Sequence, residues 1–374
     1  MPCLIKFIPH ITLYFVMALN STENITIIQR LVALLHLCLV PTEDFDFSLF
    51  KGMSETDWDV LFHIAVQHDV TALMGDAVKM LPKELTPPRR IVLSLASETF
   101  KFEQQYEKNV QATADLLSFF NKAAIPTAIL KGFTLAHYYP TPSHRKFNDL
   151  DIYQFGRQEE ADALVSQSFN TSIDLDHSHH TKFYFKGVTV ENHYDFINQH
   201  SQKSGERYEL MLKRFSTEGM KTVSFDEAPS EVKPQYILLS PTWSAVFQLR
   251  HAAKHFATSK LNWRIVCDWM LFSQDAAIDW NYVNRVCKEF GMERFKEVFD
   301  EMAECVRKNE VPTNNKILLK ILSDTCFRGS ILDKRHKAKS KLGQRVRRFW
   351  DNRWKHRLAF SESWWSRIRR IRLN

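Results

Sequence analysis

The stretch LKGFTLAHYYPTPSHRKFNDLDIY, residues 130–153, decides how this chain folds, because it combines a glycine turn with a strand that carries two acidic side chains. It follows the short apolar segment 127–130, and Lys131-Gly132 predicts a turn from that strand into a helix. Residues 148–153 alternate polar and apolar side chains, which is typical of a half-buried strand. The pattern therefore predicts a strand, a turn, a helix and a second strand.

Two acids lie in the second of these strands. Asp149 and Asp151 are two residues apart, so a strand presents both carboxylates on one face. Adjacent carboxylates repel each other, and a bound cation such as Mg²⁺ or Mn²⁺, which prefers oxygen ligands, relieves that repulsion. The motif alone is a weak signal, because Asp174 and Asp176 repeat it in a segment that is typical of a loop.

Further along, residues 182–193 predict a β-hairpin with its turn at Lys186-Gly187. Its second strand carries Glu191 and His193 on one face. A third carboxylate beside the aspartate pair would complete a ligand set for two metal ions. The alternative for Glu191 is an exposed acid on a surface hairpin. His193 could position a substrate, or it could be a hydrogen-bonded, half-buried side chain.

The turn upstream of the aspartate pair is a candidate phosphate site. Backbone N–H groups at the start of a helix attract anions, and Lys131, Gly132 and Thr134 could hold a triphosphate there. Arg145 precedes the aspartate strand and could contact phosphate as well. A salt bridge to a neighbouring acid is an equally good account of Arg145, and the two interpretations stay open.

Helical periods flank this mixed segment. Residues 89–122 contain no Gly or Pro and place apolar side chains at helical spacing, which predicts one long helix. Helical patterns return from about residue 242 onward. We therefore predict an α+β fold with a small mixed sheet between two helical regions. The predicted boundaries are 1–21 for an over-extended start or disordered segment, 22–125 for a helical region, 126–230 for a catalytic core, 231–325 for a helical bundle and 326–374 for a basic amphipathic tail.

Composition is that of an ordinary folded protein. Apolar residues make up 44% and charged residues 25%, and 374 residues suffice for two or three structural units. The six cysteines form no CxxC pair, which fits neither a zinc ribbon nor a disulfide framework and predicts reduced thiols in a cytoplasmic protein.

No run of apolar residues is long enough to predict a transmembrane helix. Lys6 and Pro9 interrupt the apolar start, which disfavours a secretory signal and leaves Met17 as an alternative start.

Charge is distributed unevenly along the chain. Residues 334–374 contain fifteen Lys or Arg residues and two acids, a net +13, so the total of +7 leaves residues 1–333 at −6. The end of this tail places Trp364, Ile368 and Ile371 on one helical face, with arginines over much of the rest. Such a helix is compatible with RNA phosphates, with an anionic membrane surface, or with docking on the acidic body of the protein. All three interpretations stay open.

Histidines recur in two places. The run His177-Ser-His-His180 could indicate a zinc site, but loop histidines are more often solvated, and we favour that interpretation. His251 and His255 share one face of a predicted helix, and the adjacent His-Asp pair of a metal-dependent phosphohydrolase does not follow them. We expect these two histidines to form polar contacts between the helical bundle and the sheet.

Together these motifs resemble a nucleotidyltransferase family usually described as uncharacterised, within the polymerase-beta-like nucleotidyltransferase superfamily. Members of that family have a Lys-Gly turn, a Tyr-Pro and Arg loop, an Asp-hydrophobic-Asp strand and a Glu-x-His strand. This chain has the corresponding residues in the same order, namely Lys131, Gly132, Tyr139, Pro140, Arg145, Asp149, Asp151, Glu191 and His193. The resemblance covers roughly residues 22–310 and leaves the basic tail outside.

This resemblance implies a nucleotidyltransferase that moves a nucleoside monophosphate from an NTP, with ATP favoured, to an acceptor hydroxyl that the sequence does not identify. It implies Mg²⁺ or Mn²⁺ held by Asp149, Asp151 and Glu191, with Glu191 also helping to deprotonate the acceptor. The alternative is a catalytically silent member of the same fold. Such a protein would act as a binding or regulatory module whose basic tail, residues 334–374, engages RNA or an anionic membrane surface.

Overall fold

The computed structural model describes residues 21–199, 204–327 and 341–361. The predictions made for residues 1–20 and for the tail beyond residue 361 lie outside these described residues. The helices are α1 (Ser21–Leu39), α2 (Glu55–Gln67), α3 (Thr71–Lys79), α4 (Arg89–Lys122), α5 (Phe133–Ala136), α6 (Gln158–Phe169), α7 (Gly205–Phe215), α8 (Pro241–Thr258), α9 (Trp263–Phe272), α10 (Trp280–Glu289), α11 (Glu293–Lys308), α12 (Lys316–Phe327) and α13 (Lys341–Phe360). The strands are β1 (Ala128–Ile129), β2 (Asp149–Tyr153), β3 (His180–Phe185), β4 (Val188–His193), β5 (Lys221–Ser224) and β6 (Gln235–Leu238).

The strands form one six-stranded mixed sheet with the order β3-β4-β2-β1-β6-β5. β2 pairs parallel to β4 and antiparallel to β1, and β1 pairs parallel to β6. The two outer pairs, β3–β4 and β5–β6, are antiparallel. Helical segments precede and follow the sheet in the sequence, so the predicted α+β fold with a small mixed sheet is confirmed.

Alternate residues of each strand point to the same side of the sheet, and on one side these residues are apolar. Leu150, Val190 and Phe183 lie on this face in three neighbouring strands and are almost fully buried. They belong to one hydrophobic cluster with side chains of α4 and α6. The side chains of β2 alternate between the two faces of the sheet, and the opposite face carries the acidic side chains. The prediction of a half-buried strand is wrong, however, because four of its five residues, Asp151 among them, are buried.

The local predictions around the sheet are also confirmed. Helix α4 spans Arg89–Lys122, as the unbroken helical period predicts. The hairpin of β3 and β4 turns at Lys186 and Gly187, both of which have positive φ angles. Strands β5 and β6 are additions that the sequence does not predict. Both are four residues long, and most of β5 is exposed, so neither leaves a clear alternating pattern.

The chain divides into two compact units. The first contains the described residues of Met1–Thr99 together with Lys260–Cys267 and Asp300–Trp350, and it is helical. In its core the Trp263 indole N–H donates to Cys326 Sγ at 3.1 Å, and the Trp263 backbone N–H donates to His68 Nδ1 at 3.2 Å. The second unit consists of the remaining described residues and contains the whole sheet.

Within the second unit, the second half of α13 packs against the end of α8. The last carbonyl groups of a helix have no partner inside the helix. Asn352 donates to the Thr258 carbonyl at 2.8 Å, and Lys355 donates to the Ser259 carbonyl at 2.7 Å. The first helix of the basic tail thus supplies hydrogen bonds to the end of α8. Among the described residues, no helix combines the length and the apolar character that crossing a membrane requires.

Candidate active site

The polar face of the sheet brings together residues that are far apart in sequence. In the parallel pairing of β2 and β4, Asp151 lies opposite Glu191, and paired residues of neighbouring strands point to the same side. Asp149 shares that side because it is two residues from Asp151. In the antiparallel hairpin, Lys182 lies opposite Glu191. The three carboxylates predicted as a group therefore lie on one face of two adjacent strands.

Asp151 lies at the centre of this face and is 3% exposed. Its Oδ1 accepts a hydrogen bond from Lys131 Nζ at 2.9 Å, and His193 Nε2 lies 3.1 Å from the same oxygen. Burial alone would raise the pKa of Asp151, but Lys131 and His193 outweigh it and hold that pKa well below its usual range. Asp151 is therefore an ionised carboxylate with two positively polarised neighbours.

Glu191 is partly open to solvent and has its own lysine partner. Lys182 Nζ donates to Glu191 Oε1 at 3.0 Å, and His180 Nε2 lies 3.7 Å from that oxygen. The hydrogen bond to Glu191 is the main reason that the pKa of Lys182 is raised. Ligand atoms of Asp151, Glu191 and His193 lie within 4.8 Å of one another. Two carboxylates at this spacing fit a divalent cation that prefers oxygen ligands.

The turn before β2 places Lys131 beside these carboxylates. The Leu130 backbone N–H donates to the Asp151 carbonyl at 3.0 Å, which aligns the turn with β2. Gly132 has a φ angle of +77°, and a Cβ at that position would lie 3.2 Å from the Phe147 ring, so this turn requires glycine. Burial opposes the charge on Lys131, but Asp151 and other acids of this face outweigh it and raise its pKa.

A cavity of about 270 Å³ opens on this polar face. Lys131, Asp149, Glu191 and His193 line one side of it. One side of α8 lines the other, because side chains three and four residues apart share a helix face. The α8 residues at this wall are Phe247, Arg250, His251, Lys254 and His255. Acidic groups from the sheet and basic groups from α8 therefore face one cavity.

The basic wall contains two different kinds of cation. The guanidinium of Arg250 lies 4.5 Å from the centre of the Phe360 ring and 5.0 Å from that of the Tyr208 ring, so two aromatic side chains hold it in place. The ammonium group of Lys254 has no hydrogen-bond or ion-pair partner among the described residues. Burial, followed by repulsion from Lys131 and Arg250, lowers the pKa of Lys254.

The histidines that precede β3 differ from the solvated loop that the sequence favours. His180 begins β3 and is 7% exposed, and both His179 and His180 line the cavity. Burial and nearby cations lower the pKa of His179 to about 3. The favoured, solvated interpretation is therefore wrong for His180, because β3 provides the fixed scaffold that a free loop lacks, whereas His179 precedes the strand and is half-buried. His251 and His255 lie on α8 at the same cavity.

Arg145 forms an ion pair. Its Nε and one terminal nitrogen donate to Asp268 at 2.7 and 2.8 Å, and both side chains are buried. The hydroxyl group of Tyr139 donates to the same carboxylate at 2.7 Å. Of the two interpretations that the sequence leaves open for Arg145, the salt bridge is the one present in the structure. Arg145 and Thr134 are not among the described residues that line the cavity.

The second acid pair lies away from this cavity. Asp174 accepts hydrogen bonds from the backbone N–H of Asp176 and from His177, so its carboxylate organises its own turn. Conversely, the sequence misses Lys182, Arg250 and Lys254 as residues of the site. The available signals were the strand register opposite Glu191 for Lys182 and the shared helix face of His251 and His255 for the two α8 cations.

Residues 54–306 match the family described as "Uncharacterised nucleotidyltransferase". The match spans well over half of the chain, so the chain belongs to this nucleotidyltransferase family. The matched range contains the whole sheet and the cavity wall of α8. No curated protein and no solved structure matches the chain.

Proposed function

We propose that this protein transfers a nucleoside monophosphate from an NTP to an acceptor hydroxyl in a reaction that depends on Mg²⁺ or Mn²⁺. The observation that carries this proposal is the register of β2 and β4, which places Asp151 opposite Glu191 with Asp149 on the same face. Membership of a nucleotidyltransferase family supports an NTP as the donor. ATP is the NTP that we favour.

Asp149, Asp151 and Glu191 are the residues that would hold the divalent cation. Their carboxylate oxygens match the ligand preference of Mg²⁺, and Asp149 and Glu191 line a cavity that is open to substrate, with Asp151 on the same face of the sheet. A bound Mg²⁺ neutralises phosphate charge and aligns the reacting groups. In the structure, Lys131 and Lys182 supply the positive charge that these carboxylates require.

The basic side chains around the cavity would hold the triphosphate. Lys131 approaches from the glycine turn, and Arg250 and Lys254 approach from α8. These α8 cations replace Arg145 in the predicted phosphate-binding set, because Arg145 is engaged by Asp268. Phosphate groups are strong acceptors for such donors. Phe196 and Phe247 provide apolar surface at the same cavity for the base or the sugar.

In the transfer step, the acceptor oxygen bonds to the α-phosphorus while the bond from that phosphorus to the β-phosphate oxygen breaks, and pyrophosphate leaves. The proton of the acceptor hydroxyl passes to a carboxylate on the sheet, for which Glu191 is the candidate because its side chain is more open than that of Asp151. His193 holds Asp151 in place from the side.

The test is Asp149→Asn, assayed with each radiolabelled NTP, Mg²⁺ and cell extract as the acceptor source. We expect label transfer by the parent protein and none by Asp149→Asn, because the amide removes the charge without changing the volume. Asp174→Asn is the matched control, since Asp174 belongs to a similar acid pair away from the cavity. Unchanged transfer by Asp149→Asn would remove the proposed metal site.

One observation favours a second function, that of a catalytically silent binding protein. Lys131 and Lys182 already neutralise Asp151 and Glu191, so the face is electrostatically satisfied by the protein itself. Such a protein would bind a nucleotide or a partner without chemistry, with the basic tail of residues 334–374 on RNA or an anionic membrane. Calorimetry with ATP or GTP, with and without Mg²⁺, separates the two functions, because only the transferase requires the metal for nucleotide binding.

A further inference from the structure

Three histidine side chains meet beside the carboxylates. His180 begins β3 and His179 directly precedes it, and the register of the hairpin places His180 opposite His193 of β4. The ring centres of His179 and His180 are 4.6 Å apart, and those of His180 and His193 are 5.2 Å apart. One ring nitrogen from each of the three lies within 4.8 Å of those of the other two.

His180 has an unusual environment for a buried imidazole. Its side chain is 9% exposed, and neither ring nitrogen has a hydrogen-bond partner among the described residues. Glu191 is the nearest carboxylate, and at 3.7 Å it is beyond hydrogen-bond range. A buried polar group without a partner costs stability, so an unsatisfied nitrogen of this kind requires an explanation. A metal ion at the cavity would supply the missing partner.

His193 is oriented as a metal ligand would be. Its Nδ1 lies 3.1 Å from the Asp195 carbonyl oxygen, which can only accept, so Nδ1 carries a proton. Nε2 is the ring nitrogen left for a metal ion, and its present contact is Asp151 Oδ1 at 3.1 Å, which a bound ion would replace. Backbone carbonyls commonly fix metal-binding histidines through the second ring nitrogen in this way.

We propose that His179, His180 and His193 form a binding site for one transition-metal ion of the zinc type. Three imidazole nitrogens favour Zn²⁺ over Mg²⁺, because Mg²⁺ selects oxygen ligands whereas Zn²⁺ accepts nitrogen readily. The site differs from the carboxylate site in its ligands and adjoins it through His193, which also contacts Asp151. Its existence does not depend on the transfer reaction.

The site lies at the cavity wall, which gives an ion a route of entry. His180 and His193 come from the two strands of one hairpin and His179 directly precedes it, so binding would fix the start of β3 against the end of β4. Because His193 is shared, occupancy by zinc would also change the hydrogen bond between His193 and Asp151. Zinc and nucleotide binding would therefore influence each other if the proposed transferase function is correct.

The experiment uses the full chain, treated with a chelator and then titrated with ZnCl₂ by calorimetry and with CoCl₂ by visible absorption. We expect one ion per chain and a Co²⁺ spectrum that reports nitrogen ligands. His179→Ala and His180→Gln should each weaken zinc binding by roughly tenfold or more, since even residues that only support a ligand contribute that much. Melting curves followed by circular dichroism establish that each variant is folded.

His137→Ala is the matched control, because His137 belongs to the same unit, is largely exposed and pairs with Glu227 away from the cavity. It should bind zinc like the parent protein. Absence of zinc binding by the parent, unchanged affinity in either ligand variant, or an equal loss in His137→Ala would overturn the proposal. Asp149→Asn should retain zinc binding, so failure of this site and failure of the transferase proposal are distinguishable.

Discussion

The pair Arg145–Asp268 is buried and bidentate, whereas the pair Lys131–Asp151 joins a half-buried lysine to a buried carboxylate through a single contact beside a cavity. Arg145 donates two hydrogen bonds to Asp268, and Tyr139 donates a third. Lys131 donates one hydrogen bond to Asp151 and lines the cavity. A planar guanidinium fork fixes one geometry, whereas an ammonium group on a flexible stem can move to another acceptor. We therefore expect Arg145 to stay bound to Asp268, whereas Lys131 can leave Asp151 for another acceptor.

The largest expected effect comes from breaking the enclosed pair. Asp268→Ala leaves the Arg145 charge buried without its partner, and we expect the free energy of unfolding to fall by about 3–5 kcal/mol. Urea unfolding followed by fluorescence measures this loss. The matched control is Glu160→Ala, which breaks an exposed arginine pair with Arg157 and should change stability little. A similar stability for Asp268→Ala and the parent would refute the distinction between the two pairs.

A third buried carboxylate sharpens the comparison because it has no cation as close as Asp151 and Asp268 have. Glu209 accepts hydrogen bonds from the backbone N–H groups of Phe196 and Ile197, both at 3.0 Å, and Lys213 Nζ lies 3.8 Å from its Oε1. Burial is the main cause that raises its pKa to about 7. Glu209 therefore holds two residues of the cavity wall, and its contribution to the free energy of unfolding depends on pH.

The raised pKa of Glu209 determines how its contribution to the free energy of unfolding changes with pH. An acid whose pKa is higher in the folded protein takes up protons more readily there, so its effect on stability is most favourable below pH 4.5 and declines as the pH rises to about 7. Across this pH range the contribution of Glu209 to the free energy of unfolding falls by about 3 kcal/mol. Unfolding experiments across this range should show it in the parent and not in Glu209→Gln. Parallel stability curves for the two proteins would contradict the assignment.

A smaller effect tests how far Asp268 depends on each donor. Tyr139→Phe removes one hydrogen bond to a buried carboxylate and leaves both bonds from Arg145 in place. Hydrogen bonds to charged groups contribute about 1.5–3 kcal/mol, and we expect a loss in the lower part of that range. Thermal and urea unfolding measure it. A loss as large as that of Asp268→Ala would mean that Arg145 contributes nothing to holding the carboxylate.

Much of the fold and the acidic face could be predicted from the sequence because they depend on short-range periodicity. Alternation in β2 places Asp149 and Asp151 on one side, and the hairpin turn gives Glu191 and His193 a common face. The choice between two functions of Arg145 could not be predicted. It depends on Asp268, a carboxylate 123 residues away on helix α9, and no local pattern indicates that contact.

The basic wall of the cavity illustrates the same limit. His251 and His255 could be placed on a common helix face, but the direction of that face requires the packing of α8 against the sheet. Lys182 could be found only from the register that pairs it with Glu191. The burial of His180 also follows from the hairpin, which sequence reasoning treats as a loop until residue 182. These residues depend on tertiary contacts and not on local spacing.

The smallest expected effect is on NTP affinity, and it rests on the proposed nucleotide site. It tests whether the cavity lysines bind phosphate, in contrast to Arg145, which stays paired with Asp268. Lys254→Ala removes a cavity cation whose ammonium group has no hydrogen-bond or ion-pair partner among the described residues, so folding should be unaffected. NTP affinity with Mg²⁺ should fall about tenfold, or about 1.4 kcal/mol, and the difference from the parent should shrink as salt screens the phosphate charge. Calorimetry at two salt concentrations measures both.

Lys186→Ala is the control, because Lys186 lies at the hairpin turn, pairs with Asp115 and does not line this cavity. Equal affinities for Lys254→Ala and the parent would place the triphosphate elsewhere and leave α8 as a structural wall.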